Sequence, residues 1–159
     1  MNYFAMTPNQ PSLLQRFLGR SVMEQRLILE ALLVMATVSF VIRFLPFRVL
    51  KKLINAEAVK VNDYSFFEEG GSSASEMTHL ITKVITVTGN KITKDSKCLV
   101  QASSARIMLN KRGIPSTLYL GVKKNEIYNM KPHAWLVVND QVMLGGGELD
   151  QYVPVSRLE

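Results

Sequence analysis

The chain reads as an α+β protein in which helices come first and an antiparallel sheet follows. Three observations predict this. Apolar residues recur at helical spacing through residues 22–44, 77–85 and 99–109. From Ser116 onward the pattern changes to short runs rich in β-branched and aromatic residues, Ser116 to Val122 and His133 to Val138. Asn139-Asp140 then makes a tight turn into Gln141 to Leu144, which completes a hairpin.

With 159 residues, 47% of them hydrophobic, the chain suits one ordinary domain with a real core, or a small catalytic unit with a helical attachment. A single cysteine excludes an internal disulfide and a multi-cysteine zinc site, and fits a reducing, cytoplasmic location. The net charge of +6 would suit nucleic acid, anionic lipid or an acidic peptide, but the lysines and arginines are scattered. No nucleic-acid partner is expected.

Pro8, Pro11 and Gly19 mark a loose lead-in with one short turn around Leu13 to Leu18. Ser21-Val22-Met23-Glu24 matches a capping box, in which serine and glutamate satisfy each other's backbone donors at a helix start. The helix that follows, over 22–44, contains the apolar stretch Ala31 to Ile42, bounded by Glu30 and Arg43. That stretch is shorter than the about 20 residues a membrane span needs, and extending it to 27–47 admits both charges, so a core or docking helix is favoured over an inserted one. Its late start, with no small-residue cleavage site after it, is unlike a signal peptide. Pro46 starts a second helix, Phe47 to Ile54, whose Lys51 and Lys52 are either solvated or rest on a membrane surface. Contact of residues 21–54 with the inner face of a membrane therefore stays open.

These features divide the chain into an N-terminal helical extension (1–56), a polar linker (57–75) ending in Glu68-Glu69-Gly70-Gly71-Ser72-Ser73, and a domain over 76–159. Ser73 and Glu76 form a second possible capping box, after which Met77, Leu80, Ile81, Val84 and Ile85 trace one helical face. His79 lies off that stripe and reads as a surface histidine.

Cys98 stands where the next helix begins, with Asp95 or Ser96 as N-cap and Gly113-Ile114-Pro115 as the stop. Unpaired backbone N–H groups and the helix dipole at that position favour thiolate over thiol. A lone cysteine is more often a small buried residue, so it needs a partner. His133, at the start of a strand, can supply one. A cysteine on a helix N-terminus facing a histidine on a strand is the constellation of thiol proteases and transglutaminases.

The surrounding residues add a resemblance. Cys98-Leu99, Met108 to Pro115, Leu118-Tyr119-Leu120-Gly121-Val122, His133-Ala134-Trp135-Leu136 and Tyr152-Val153-Pro154-Val155, in that order, are similar to the transglutaminase-like cysteine protease of lasso-peptide biosynthesis, which cuts the leader from the precursor peptide. Leu45-Pro46-Phe47-Arg48 also resembles the leading region of stand-alone members. The resemblance implies a transglutaminase-like (papain-like) core. It also implies three partners: a leader-bearing precursor, a separate leader-recognition protein and an asparagine-synthetase-like lasso cyclase. No cofactor and no metal are expected.

That family usually completes its site with an acid, and many members resemble His-Ala-Trp-x-Glu-x-Asp-Gly. Here Val137 takes the place of the glutamate, the turn is Asn139-Asp140, and the later acidic position of the family falls on Gly145 or Gly146, so the motif no more than keeps Asp140 in play. A two-residue turn puts Asp140 roughly 20 Å from His133, whereas the returning strand brings residues 145–148 beside it. Glu148, with Asp150 behind it, therefore competes with Asp140, and a backbone carbonyl is a third way to orient the imidazole. The Cys98 N–H would form part of an oxyanion site, with a second donor unassigned. Trp135 reads as core or as a shield for the pair, and Gly145-Gly146-Gly147 as chain near the site rather than a phosphate loop.

Overall fold

A computed structural model of the protein describes residues 17–55, 58–59, 74–92, 97–124, 132–147 and 149–159. Helix α1 spans Val22–Phe44 and opens with the capping box: the Ser21 hydroxyl accepts from the Glu24 N–H, and the Glu24 carboxylate accepts from the Ser21 N–H. Helix α2, Phe47–Leu53, starts at Pro46. Strand β1, Ala58–Val59, falls within the stretch read above as a linker. Helix α3, Glu76–Ile92, is capped by Ser75, whose hydroxyl accepts from the Thr78 N–H. Ser73, the expected cap, lies outside the described residues, as do residues 1–16, which hold most of the expected first turn.

Helix α4, Lys97–Asn110, carries Cys98, while Asp95 and Ser96, its expected caps, lie outside the described residues. Its other end is a Schellman motif: Gly113, at φ +69°, donates to the Asn110 carbonyl and Ile114 donates to Leu109. Strands β2 (Thr117–Lys123), β3 (Pro132–Val138) and β4 (Gln141–Leu144) follow. A 3₁₀ turn at Leu149–Gln151 then leads into β5, Tyr152–Leu158. Pro154 and the short apolar spacing hid β5 from the sequence reading. Asn139 and Asp140 both take positive φ, 49° and 61°, as a two-residue hairpin turn requires.

The strands form one sheet in the order β1-β5-β2-β3-β4, and every described pairing is antiparallel. Helix α4 lies on one face of the sheet, and α1 and α3 pack against α4. Leu27, Ala31, Met35, Val38 and Val41 of α1 enter the same buried cluster as Val100, Met108 and Leu109 of α4 and Leu118, Leu136 and Val138 of the sheet. The long apolar helix is thus a core helix along one side. Glu30 fixes its direction by pairing with Arg112 at 2.7 Å and Lys111 at 3.0 Å, and Arg112 holds the Glu30 carboxyl below the usual carboxylate range.

Arg106 is buried in the middle of α4 and donates only to backbone carbonyls among its described hydrogen bonds, those of Ile54, Ser116 and Leu158. Burial lowers its pKa, opposed by the Glu159 charge, yet the group stays a cation. It ties the end of α2, the entry to β2 and the end of β5 to the helix that bears Cys98.

Candidate active site

The site forms where the N-terminal turn of α4 meets the first residues of β3. Alternation along β3 sends Ala134, Leu136 and Val138 into the core beneath the helices, and His133, Trp135 and Val137 to the other face. Because His133 is next to the strand's first residue, its ring can reach past the strand to the helix end. The Cys98 thiol lies in hydrogen-bonding reach of the imidazole, and the backbone amides of Ala134 and Leu99 also face the sulfur.

Pairing on the β4 side of β3 stops at Leu136 opposite Leu144, with an irregularity between Leu136 and Val137. The chain then turns at Gly145, whose φ is +77° and whose missing Cβ would sit 2.5 Å from the Ala134 carbonyl oxygen. Only glycine meets both conditions. The turn places the Gly145 carbonyl 2.8 Å from His133 Nε2. A carbonyl can only accept, so Nε2 carries the proton and Nδ1 is left with the lone pair that can take the thiol proton.

Two rings flank the imidazole. Tyr152 lies 4.7 Å away by ring centroids, and Trp135 stacks at 6.0 Å. Trp135 in turn stacks on Tyr119, at 5.6 Å and 7° between planes. Its outer ring atoms lie where a Cβ on Gly121 would be, 2.8 Å away, so Gly121 is the space the indole needs.

The electrostatics favour charge separation. Burial pushes the Cys98 thiol up, but the His133 hydrogen bond, the Ala134 amide, the imidazolium charge and the Leu99 amide together bring it below its ordinary value. The bond to Cys98 raises His133 most. Burial opposes that rise, and the Gly145 carbonyl and the thiolate charge add to it. Thiolate and imidazolium therefore stabilise each other. The result is a nucleophile beside a proton donor, with amides aimed at the sulfur.

The structure brings Cys98 and His133 together. Asp140 sits exposed in the hairpin turn, at the far end of β3 from His133. Glu148 lies outside the described residues. Asp150 is in the 3₁₀ turn, where its backbone carbonyl accepts from Lys124 Nζ at 2.6 Å. The described hydrogen bond on the outer nitrogen of His133 is that of Gly145. Sequence reading missed the Ala134 amide and the Tyr152 ring. The amide has no side-chain signature, and Tyr152 was visible only inside a motif. Among the described residues no group of three or more His, Cys, Asp and Glu side chains could hold a metal ion.

A helix-borne thiol paired with a strand-borne imidazole on an antiparallel sheet defines a cysteine–histidine fold of the transglutaminase and papain kind. A family described as the transglutaminase-like superfamily matches residues 34–157, and the chain belongs to it. The match includes Cys98, His133 and Gly145, and it begins within α1. No curated protein and no solved structure matches the chain.

Proposed function

We propose that the protein is a cysteine peptidase that removes the leader from a lasso-peptide precursor. The observation that carries the chemistry is the Cys98–His133 pair, with Nε2 committed to the Gly145 carbonyl. The order of motifs from Cys98 to Val155 supports the substrate class. The Cys98 thiolate attacks the scissile carbonyl carbon, and the amides at the sulfur are placed to meet the developing oxyanion. Collapse of the tetrahedral adduct breaks the C–N bond, and the proton on His133 Nδ1 goes to the leaving amine. Nδ1 then takes a proton from water, hydroxide adds to the thioester, and the leader leaves as a carboxylic acid while Cys98 departs as thiolate beside the protonated His133, which restores the starting pair.

In this reading a separate protein captures the leader and a cyclase closes the released core peptide. The test incubates the purified chain with a lasso precursor and leader-binding protein encoded beside it, following peptide masses for wild type and Cys98→Ala. Leader loss with wild type alone is expected. Transfer of the acyl group to an added amine, with no free leader acid, would instead assign acyl transfer to the same pair. An intact precursor in both reactions, with the cyclase also present, would overturn the reading.

A further inference from the structure

Helix α1 has a second apolar side that stays exposed among the described residues. Val22, Leu29, Leu33, Phe40 and Phe44 fall on one line along the helix, and all are exposed: Leu33 by 71%, Phe40 by 58%, Phe44 by 65%. Phe47, at the start of α2, is also exposed. The ridge is about 35 Å long at 1.5 Å per residue. A soluble core helix normally carries charge on this side.

Among residues 17–55 the exposed charges are all positive. Arg43, Arg48 and Lys52 are exposed around the aromatic end of the ridge, while Arg20 precedes the other end and Arg26 interrupts the line between Val22 and Leu29. The only acids between residues 17 and 55 are Glu24 and Glu30. Glu24 is committed to the capping box and Glu30 to Arg112 and Lys111. The ridge therefore presents hydrocarbon bordered by cations.

Its chemistry also lacks what an oriented protein interface uses. Specific protein interfaces carry about one hydrogen bond per 100–200 Å². Thr37 stands beside the line, and its hydroxyl is already donated to the Leu33 carbonyl at 2.9 Å. A fluid surface with a hydrocarbon interior and anionic headgroups needs no such pairing. By length and composition Val22–Phe44 is apolar enough to cross a bilayer. Crossing would pull Leu27, Ala31, Met35, Val38 and Val41 out of the core, so the helix must lie in the plane of the surface.

We infer that the outer ridge of α1, from Val22 to Phe44, together with Phe47, docks the folded protein on an anionic lipid bilayer. Phe40 and Phe44, with ring centroids 4.9 Å apart, enter the acyl region. Arg43, Arg48 and Lys52 meet the headgroups. This goes beyond the proposed peptidase activity and does not depend on it.

The test sediments the full-length chain with vesicles of phosphatidylcholine alone, or containing roughly 30% phosphatidylglycerol. Wild type should sediment with the anionic vesicles, and less so as salt rises. Phe40→Glu with Phe44→Glu should weaken that binding by about tenfold or more, and Arg48→Glu with Lys52→Glu should weaken it on anionic vesicles. The iodoacetamide reaction rate of Cys98 checks folding, because neither pair of residues touches the thiol–imidazole site. No sedimentation of wild type, or equal sedimentation of the Phe40/Phe44 variant, overturns the inference. So does binding that survives that variant but is lost on deleting residues 1–16. If wild type ignores both vesicles while the variant loses the leader-binding protein, the ridge is a protein interface and the lipid reading fails.

Discussion

Two cationic side chains in this protein, Arg106 and His133, are held by backbone carbonyls where a carboxylate would be expected. Arg106 donates to Ile54, Ser116 and Leu158, and His133 Nε2 donates to Gly145. The difference lies in what else each can reach. Arg106 is buried to 3% exposure and its three described hydrogen bonds all serve the fold. His133 has one nitrogen committed and the other turned to a thiol. A carbonyl fixes a cation's position while adding only a dipole, so it orients His133 without the full charge of an aspartate. The same device serves stability in one place and chemistry in the other.

The comparison breaks most sharply at the thiol. Cys98→Ala removes the nucleophile, and turnover in a leader-cleavage assay should fall by about 10³-fold or more with little change in Tm. Arg106→Met should do the reverse. It takes this donor from the Ser116 and Leu158 carbonyls and leaves Ile54 with Asn110 Nδ2 alone, and denaturant unfolding should show a loss of about 2–4 kcal/mol. Activity per folded molecule should survive.

Gly145→Ala tests the junction of the two roles. The added Cβ meets the Ala134 carbonyl and the residue keeps a positive φ, so the loop must shift and carry its carbonyl off Nε2. Turnover should drop by about 10–100-fold, with a smaller stability loss of about 1–2 kcal/mol. Asp140→Asn, which tolerates the same positive φ, should change turnover by less than about twofold. A large Asp140 effect would mean that a carboxylate, not the carbonyl, governs His133.

Tyr152 is the finest probe. Its ring at 4.7 Å favours the imidazolium by about 0.5–1 kcal/mol, so Tyr152→Leu should move the alkaline limb of the kcat/KM profile to lower pH, while Tyr152→Phe leaves it in place.

The contrast also explains what could be read from the residues alone. The α1 capping box, the Gly113 helix stop, the Asn139-Asp140 turn and the Cys98–His133 pair were all legible, because each depends on side-chain type at fixed spacing. Strand β5 and strand β1 were not, since Pro154 interrupts one and the other is two residues long. Neither set of carbonyl contacts was assignable, because every residue carries a carbonyl and only the folded path selects Gly145 or Ile54. Nothing in the sequence singles out Arg106; its burial follows from three segments that converge on it from residues 54, 116 and 158.

The rate of Cys98 alkylation by iodoacetamide across pH reads out how far the Cys98 thiolate and the His133 imidazolium stabilise each other. Cys98 loses its proton below the 9.0 of an ordinary cysteine, and His133 keeps its proton above 6.5. Reactivity should therefore rise with an apparent midpoint below 9.0, belonging to the coupled pair. In His133→Ala the imidazole is gone and burial remains, so the midpoint should move up and the rate near neutral pH should fall. A wild-type midpoint at or above 9.0, unchanged by His133→Ala, would contradict the pair and leave Cys98 as a core residue.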